Sequence, residues 1–288
     1  EKFRKYFMKD KKILIIGGAG FLGQALMKPL LKNGISFFYA DLTPIAEMEQ
    51  YFVSLNVLET NDFVNLETDF TTVINLTGQV SNPSNLCLEL NTKGIDNIID
   101  FVKKNDLNFI QVSTISVYGS SIDEVNEESK LNPETSYGSL KAMAEYLIQN
   151  KLSKDKFSII RLSNLYGDQQ PKGVLAYLLR SLKQNDDIFF NNDGLLKRYF
   201  LNVEDASNLI VQLSTHFKSG VYNYLGNDVY SIKELINLLE QKSNKTLNVF
   251  YENSKPWENL ANVSSTKIDV AFGYKYQHTL NEWLTKQI

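Results

Sequence analysis

The run Gly17 to Gly23 (GGAGFLG) joins two segments of opposite character. Before it stand the apolar residues Ile13–Ile16, a short buried strand; after it, Phe21–Asn33 carries Leu22, Leu26, Leu30 and Leu31 at helical spacing until Gly34 stops it. The run fits G-x-G-x-x-G from Gly18 and G-x-x-G-x-x-G from Gly17. A strand, a glycine-rich turn and a helix in that order let the backbone approach a pyrophosphate, and they present free N–H groups and a positive dipole end to it. Asp41 ends the next strand, Ser36–Ala40. A carboxylate there accepts hydrogen bonds from the ribose hydroxyls of an adenosine and repels a 2′-phosphate. Leu42, Thr43 and Pro44 follow it, with no adjacent cation, which favours NAD over NADP.

The rest of the first half repeats this alternation. Strands are expected at Thr72–Leu76, Phe109–Val112 and Phe157–Leu162, and helices at Lys93–Lys104 and Tyr137–Asn150. Strands alternating with helices at this spacing imply right-handed βαβ units and a parallel sheet covered on both faces. After about residue 165 the pattern loosens into helical stretches near 174–184, 205–217 and 231–242, separated by Gly, Asn and Asp turns. The expected fold is α/β: a Rossmann-type doubly wound parallel sheet in residues 1–165, then a smaller mixed α/β substrate domain in 166–288, with some segments returning to the first. A chain of 288 residues suits two domains at about 150 residues each.

Composition narrows the function. Lys plus Arg is 30 against 33 Asp plus Glu, so the chain lacks the basic surplus of a nucleic-acid or anionic-membrane binder. Cys87 is the only cysteine, so no intramolecular disulfide can form, and a reducing, cytoplasmic setting is expected. Neither a signal peptide nor a membrane span is expected, since no apolar run nears the ~20 residues a span needs. Residues 1–11 are expected to be a leader, and Met8 offers a start within it. With two histidines, His216 and His278, far apart, a Cys/His zinc site is not expected.

Tyr137 and Lys141 in SYGSLKAMAEYL lie one helical turn apart on one face. An ammonium near a phenol favours the phenolate, and such a tyrosine exchanges a proton with a sugar hydroxyl or carbonyl. Thr114 follows the strand Phe109–Val112, at the C-terminal edge of the sheet where ligands bind in such folds. Its hydroxyl can bond the same reacting oxygen.

Together these residues resemble the extended short-chain dehydrogenase/reductases, the NAD-dependent epimerase/dehydratase group acting on nucleotide sugars. The resemblance runs from about residue 12 to 285: GGAGFLG, TTVINLTGQVS (71–81), LNTKGIDNIID (90–100), VSTISVYG (112–119), YGSLK (137–141), RLSNLYG (161–167), NDGLLKRYFLNVEDAS (192–207) and VYNYLGNDVYSIKEL (221–235) occur in the family's order. It implies Tyr137 as acid/base, Lys141 as the residue that holds the nicotinamide ribose and tunes Tyr137, and Thr114 as the group orienting the sugar oxygen. It implies NAD contacts from Gly17, Gly20, Phe21, Leu22, Gly23, Asp41, Asn56, Val57, Leu76, Thr77, Gly78, Asn91 and Ser113. It implies nucleotide-sugar contacts from Gln79, Thr114, Asn164, Val174 and Arg198. A homodimer is expected through two helices, with Ile95, Ile98, Ile99 and Val102 on one and Leu140, Met143, Ala144, Leu147 and Ile148 on the other.

The sequence departs from the family's pattern at four places. Asn56 replaces an Asp near the adenine, and Thr77-Gly78 replaces a commoner Ala-Ala. Ile115 and Ser116 stand where dehydratases of the group carry Asp-Glu, so elimination of water is not expected. SKPWENL (254–260) offers Lys255 without a following Asp in the distal nucleotide segment. The expected activity is NAD-dependent oxidation of a nucleotide sugar at C4, pointing first to an epimerase. The alternatives are a 4-dehydrogenase or keto-sugar reductase, and a non-catalytic NAD-sensing protein.

Overall fold

A computed structural model describes residues 11–78, 83–252 and 258–288. Residues 1–10 of the expected leader, Gln79, Lys255 and Trp257 lie outside the described residues. The first element is β1 (Lys12–Ile16), followed through the glycine turn by α1 (Phe21–Asn33), as the sequence predicts. Gly34 ends α1 in the left-handed conformation, φ 64°, and the N–H groups of Gly34 and Ile35 return to Leu31 and Leu30. That closure satisfies carbonyls the helix end would otherwise leave open.

The chain continues through β2 (Ser36–Asp41), β3 (Phe52–Ser54), β4 (Thr72–Asn75), α2 (Ser84–Glu89), a π-helical turn at Leu90–Gly94, α3 (Ile95–Lys104) and β5 (Asn108–Thr114). Next come α4 (Ser136–Lys151), β6 (Phe157–Leu162), β7 (Asn164–Tyr166) and α5 (Val174–Gln184). The described chain then runs through β8 (Ile188–Phe190), β9 (Lys197–Asn202), α6 (Val203–Thr215), β10 (Gly220–Tyr224), β11 (Asp228–Ser231), α7 (Ile232–Ser243), β12 (Val249–Tyr251), α8 (Thr266–Phe272) and α9 (Leu280–Gln287).

The described residues form a 7-stranded sheet in the order β3-β2-β1-β4-β5-β6-β10, parallel throughout. This bears out the doubly wound α/β fold. Strand order reverses beside β1, which opens a crevice at the C-terminal strand ends. One face is covered by α1, α6 and α8, whose Leu26, Leu30, Leu209 and Ile268 share one core. The other is covered by α3 and α4. A third core gathers α5, α7 and α9 around Tyr166, Phe190 and Trp283, beside the small sheets β11-β9-β7 and β12-β8.

Two local expectations change. The helix expected from Lys93 starts at Ser84, and Asn91 and Gly94 lie within its π turn, not at a helix start. Asn91 Nδ2 donates to the Cys87 carbonyl one turn back, so its polar side chain supports the helical path here. The apolar stripe of α3 is consumed within the chain, because Ile95, Ile98, Ile99 and Val102 all pack on the sheet. On α4, Ala144 and Ile148 do the same, while Met143 and Tyr146 remain 45% and 62% exposed.

Candidate active site

A cleft of about 550 Å³ opens at the C-terminal ends of the parallel strands. The glycine turn forms one wall. Gly17 sits at φ 80°, a conformation that disfavours any other residue. A Cβ on Gly23 would lie 2.3 Å from the Gly18 carbonyl oxygen, so helix and turn touch backbone to backbone. Gly20 caps α1 with no side chain to occupy the first-turn N–H groups, which leaves them for an anion. Asp41 faces this turn: Oδ2 accepts from Ala19 N at 2.9 Å and Oδ1 from Leu42 N at 2.8 Å. A glycine cradle with uncapped donors and a strand-end carboxylate fits a dinucleotide.

The opposite side is built from β5, β6 and α4. Leu76, Ser113, Thr114, Tyr137, Asn164 and Val174 reach the cleft together with Gly17, Gly20, Phe21, Leu22 and Gly23. Thr114 ends β5 and its Oγ1 accepts from Ser116 N at 3.2 Å, capping the turn that follows. Tyr137 lies in the first turn of α4, capped by Thr135, whose Oγ1 accepts from Gly138 N at 3.1 Å. Lys141, one turn on, is fully buried behind the wall and donates to the Thr77 carbonyl at 3.4 Å. Burial pushes its ammonium down to about 8, against the opposing pull of Glu145.

Thr77, Gly78, Asn56, Val57, Asn91 and Arg198 are not among the residues that line the cleft. Thr77 N and Oγ1 both donate to Asn75 Oδ1, at 3.1 and 2.8 Å. Gly78 keeps its carbonyl on buried Asn91, at 3.2 Å from Nδ2. Asn56 Oδ1 accepts from Leu58 N at 3.1 Å, and the Val57 carbonyl accepts from Asn97 Nδ2 at 2.8 Å, so both are bonded locally beyond β3. Asn164 Nδ2 donates to the Tyr199 carbonyl at 3.1 Å. Arg198 Nη2 donates to the Glu258 carbonyl at 3.1 Å, while Glu204 and Asp205 both face His278.

Sequence reasoning missed a polar layer beneath the wall. Ser113 Oγ donates to Glu145 Oε1 at 2.5 Å, and Arg161 grips both Glu145 oxygens through Nε and Nη2, the latter at 2.7 Å. Arg161 Nη1 then donates to Tyr118 Oη at 2.6 Å, and Tyr118 Oη donates to Asn223 Oδ1 at 2.8 Å. Behind Thr77, Asn75 Nδ2 donates to Gln111 Oε1 at 2.8 Å. Lys172, Gln170 and Leu260 also line the cleft; as isolated loop residues they carried no periodic signal.

The model of the NAD dependent epimerase/dehydratase family matches residues 13–226, from β1 through the last strand of the large sheet and just beyond. The chain belongs to this family. Among its relatives is the human dTDP-D-glucose 4,6-dehydratase, 26% identical over 276 residues that cover 82% of this chain and 76% of that protein. The UDP-glucuronic acid 4-epimerase of Bacillus cereus, in complex with UDP-glucuronic acid and NAD, superposes with a TM-score of 0.83 at 24% identity, covering 95% and 96% of the two chains. The UDP-glucose 4-epimerase of Thermus thermophilus, in complex with NAD, gives 0.82 at 20% identity over 95% and 96%. The epimerase/dehydratase family is NAD-dependent, and the glycine turn with Asp41 fits that cofactor.

Proposed function

We propose that the protein is a nucleotide-sugar epimerase that uses NAD to oxidise a hydroxyl of a nucleoside-diphosphate sugar, at C4, and then reduces the ketone from the other face. The observation that carries this reading is the placing of Thr114 and Tyr137 on the wall opposite the Gly17–Gly23 turn. Bound NAD supplies the hydride acceptor and donor. Tyr137 takes the hydroxyl proton and returns it, Thr114 orients the reacting oxygen, and buried Lys141 holds positive charge behind them. Asn164 and Val174 would meet the sugar nucleotide. Ile115 is buried in a side core and Ser116 carries no ionisable group, which supports epimerisation over loss of water.

Among the described residues no helix is long and apolar enough to cross a membrane. We place the enzyme in the cytoplasm as a homodimer, with Leu88, Met143 and Tyr146 as the apolar surface left on the α2–α4 side. The deciding experiment incubates the protein and NAD with a panel of nucleotide sugars. Epimerised product without net NADH is expected; accumulating NADH with a released ketone would replace the epimerase by a dehydrogenase.

Two binding results follow. NAD should bind more tightly than NADP, because the Asp41 carboxylate meets the ribose edge. Calorimetric titration of both cofactors checks this, and equal affinity would remove Asp41 from that role. Arg198→Ala should weaken nucleoside-diphosphate binding by about 1.5–3 kcal/mol, the scale of a charge-assisted hydrogen bond, and leave NAD affinity unchanged. Arg198 Nη2 donates to the Glu258 carbonyl, and burial pushes its guanidinium down, so an anion there gains a strong partner. Unchanged diphosphate affinity would move the phosphate site elsewhere.

A further inference from the structure

Glu258 is distant in sequence from the catalytic segments, yet its backbone and side chain meet three elements of the site. Its side chain is buried, with 8% of the residue exposed. Oε1 accepts from Thr135 Oγ1 at 3.3 Å. That hydroxyl has one proton, which goes to Glu258, and its lone pair receives Gly138 N, so the cap of α4 is oriented by the carboxylate. The Ser116 hydroxyl faces the same carboxylate and favours its charged form, as do Thr135 and Arg198, while burial pushes the carboxyl up. Ser116 N in turn donates to Thr114 Oγ1. The two segments are also in direct contact, since a Cβ on Gly138 would lie 2.5 Å from the Ser116 carbonyl oxygen. The Glu258 carbonyl receives Arg198 Nη2.

We propose that Glu258 is a positioning residue, which braces the Thr114–Ser116 segment against the capped start of α4 and so sets the Tyr137 phenol relative to the Thr114 hydroxyl. One carboxylate presents two acceptor oxygens to hydroxyls on two different elements. The brace acts on the reacting groups, whereas the main-chain bond to Arg198 does not depend on the side chain. The carboxylate also lies near Arg198, and removing it takes away an anion that competes with a diphosphate, so its loss should lower turnover without weakening diphosphate binding. The inference rests on Tyr137 and Thr114 being the groups that meet the sugar oxygen.

The test compares wild type, E258A, E258Q and Y137F on the active nucleotide sugar, with calorimetric titration of the matching nucleoside diphosphate and of NAD. In E258A kcat should fall by about 10- to 100-fold, the effect of misplacing a reacting group by about 1 Å, with NAD affinity unchanged and diphosphate affinity not reduced. E258Q keeps an acceptor oxygen for Thr135 and an amide that Ser116 can accept from, so it should recover most of kcat. Amide hydrogen exchange at 113–118 and 136–141 should quicken in E258A while 17–23 stays as in wild type. Wild-type kcat in E258A, a parallel loss of diphosphate affinity, or E258Q no better than E258A would overturn the proposal. Wild-type turnover in Y137F would instead overturn the reading of the site on which it rests.

Discussion

Tyr137→Phe should retain the fold and NAD affinity and lose turnover by about two to four orders of magnitude, the range of a positioned acid/base. The ring stays in the first turn of α4, whose cap by Thr135 does not involve the phenol oxygen. What is lost is one oxygen on the cleft wall, near the end of β5 where Thr114 stands. The companion effect lies in the pH profile. Lys141 holds its proton below about 8 and releases it above, because burial outweighs the pull of Glu145. Its positive charge, and with it the bias toward phenolate, is present at neutral pH and disappears on the alkaline side. Activity should therefore fall above about pH 8, and Lys141→Met should be low throughout and lack that limb. A Tyr137→Phe enzyme with near-normal kcat, or a Lys141→Met enzyme with the wild-type alkaline limb, would remove these residues from the chemistry.

The largest loss of stability is expected at Glu145→Ala. Glu145 and Arg161 are both buried, and the carboxylate holds three donor nitrogen contacts from Arg161 plus Ser113. Removing the carboxylate leaves a guanidinium in the interior with only Tyr118 Oη as a polar partner from this network. Breaking a buried pair from one side costs about 3–5 kcal/mol, because the surviving charge is uncompensated. Urea unfolding should show that loss. Replacing both partners by apolar residues, Glu145→Leu with Arg161→Met, should recover much of it, since the desolvation of both charges is then avoided. A single mutant within about 1 kcal/mol of wild type would mean that water reaches Arg161, contrary to its burial.

The strand–glycine–helix unit and the Tyr137/Lys141 pair were legible in the sequence because each is a local pattern. The range of β6 also follows from its largely apolar run, and that of α5 from its helical spacing. The π turn at Leu90–Gly94 was not legible, because the helix was expected only from Lys93 and the bond from Asn91 to Cys87 is seen only in the structure. Asn75, Gln111 and Arg161 are polar residues inside apolar strands, and their alignment depends on strand register, with Asn75 opposite Gln111. Glu258 has no local signal, since its partner Thr135 is 123 positions away. The roles of cofactor residues on the β3 side, Asn56 and Val57, remain expectations drawn from family order, and both side chains or backbones are engaged locally.

The place of β10 has a consequence for how the chain is made. β6 is buried along its whole length, and its outer edge is covered only when Gly220–Tyr224 pairs with Ser158–Leu162. A growing chain that has emerged as far as residue 165 has every other strand of the large sheet in hand, but presents Phe157–Leu162 as an apolar edge with unpaired amides. Such an edge is a template for another chain. Synthesis must run on through the cleft's far wall before the edge is sealed, so a chain cut at residue 165 exposes that edge to pairing with another chain.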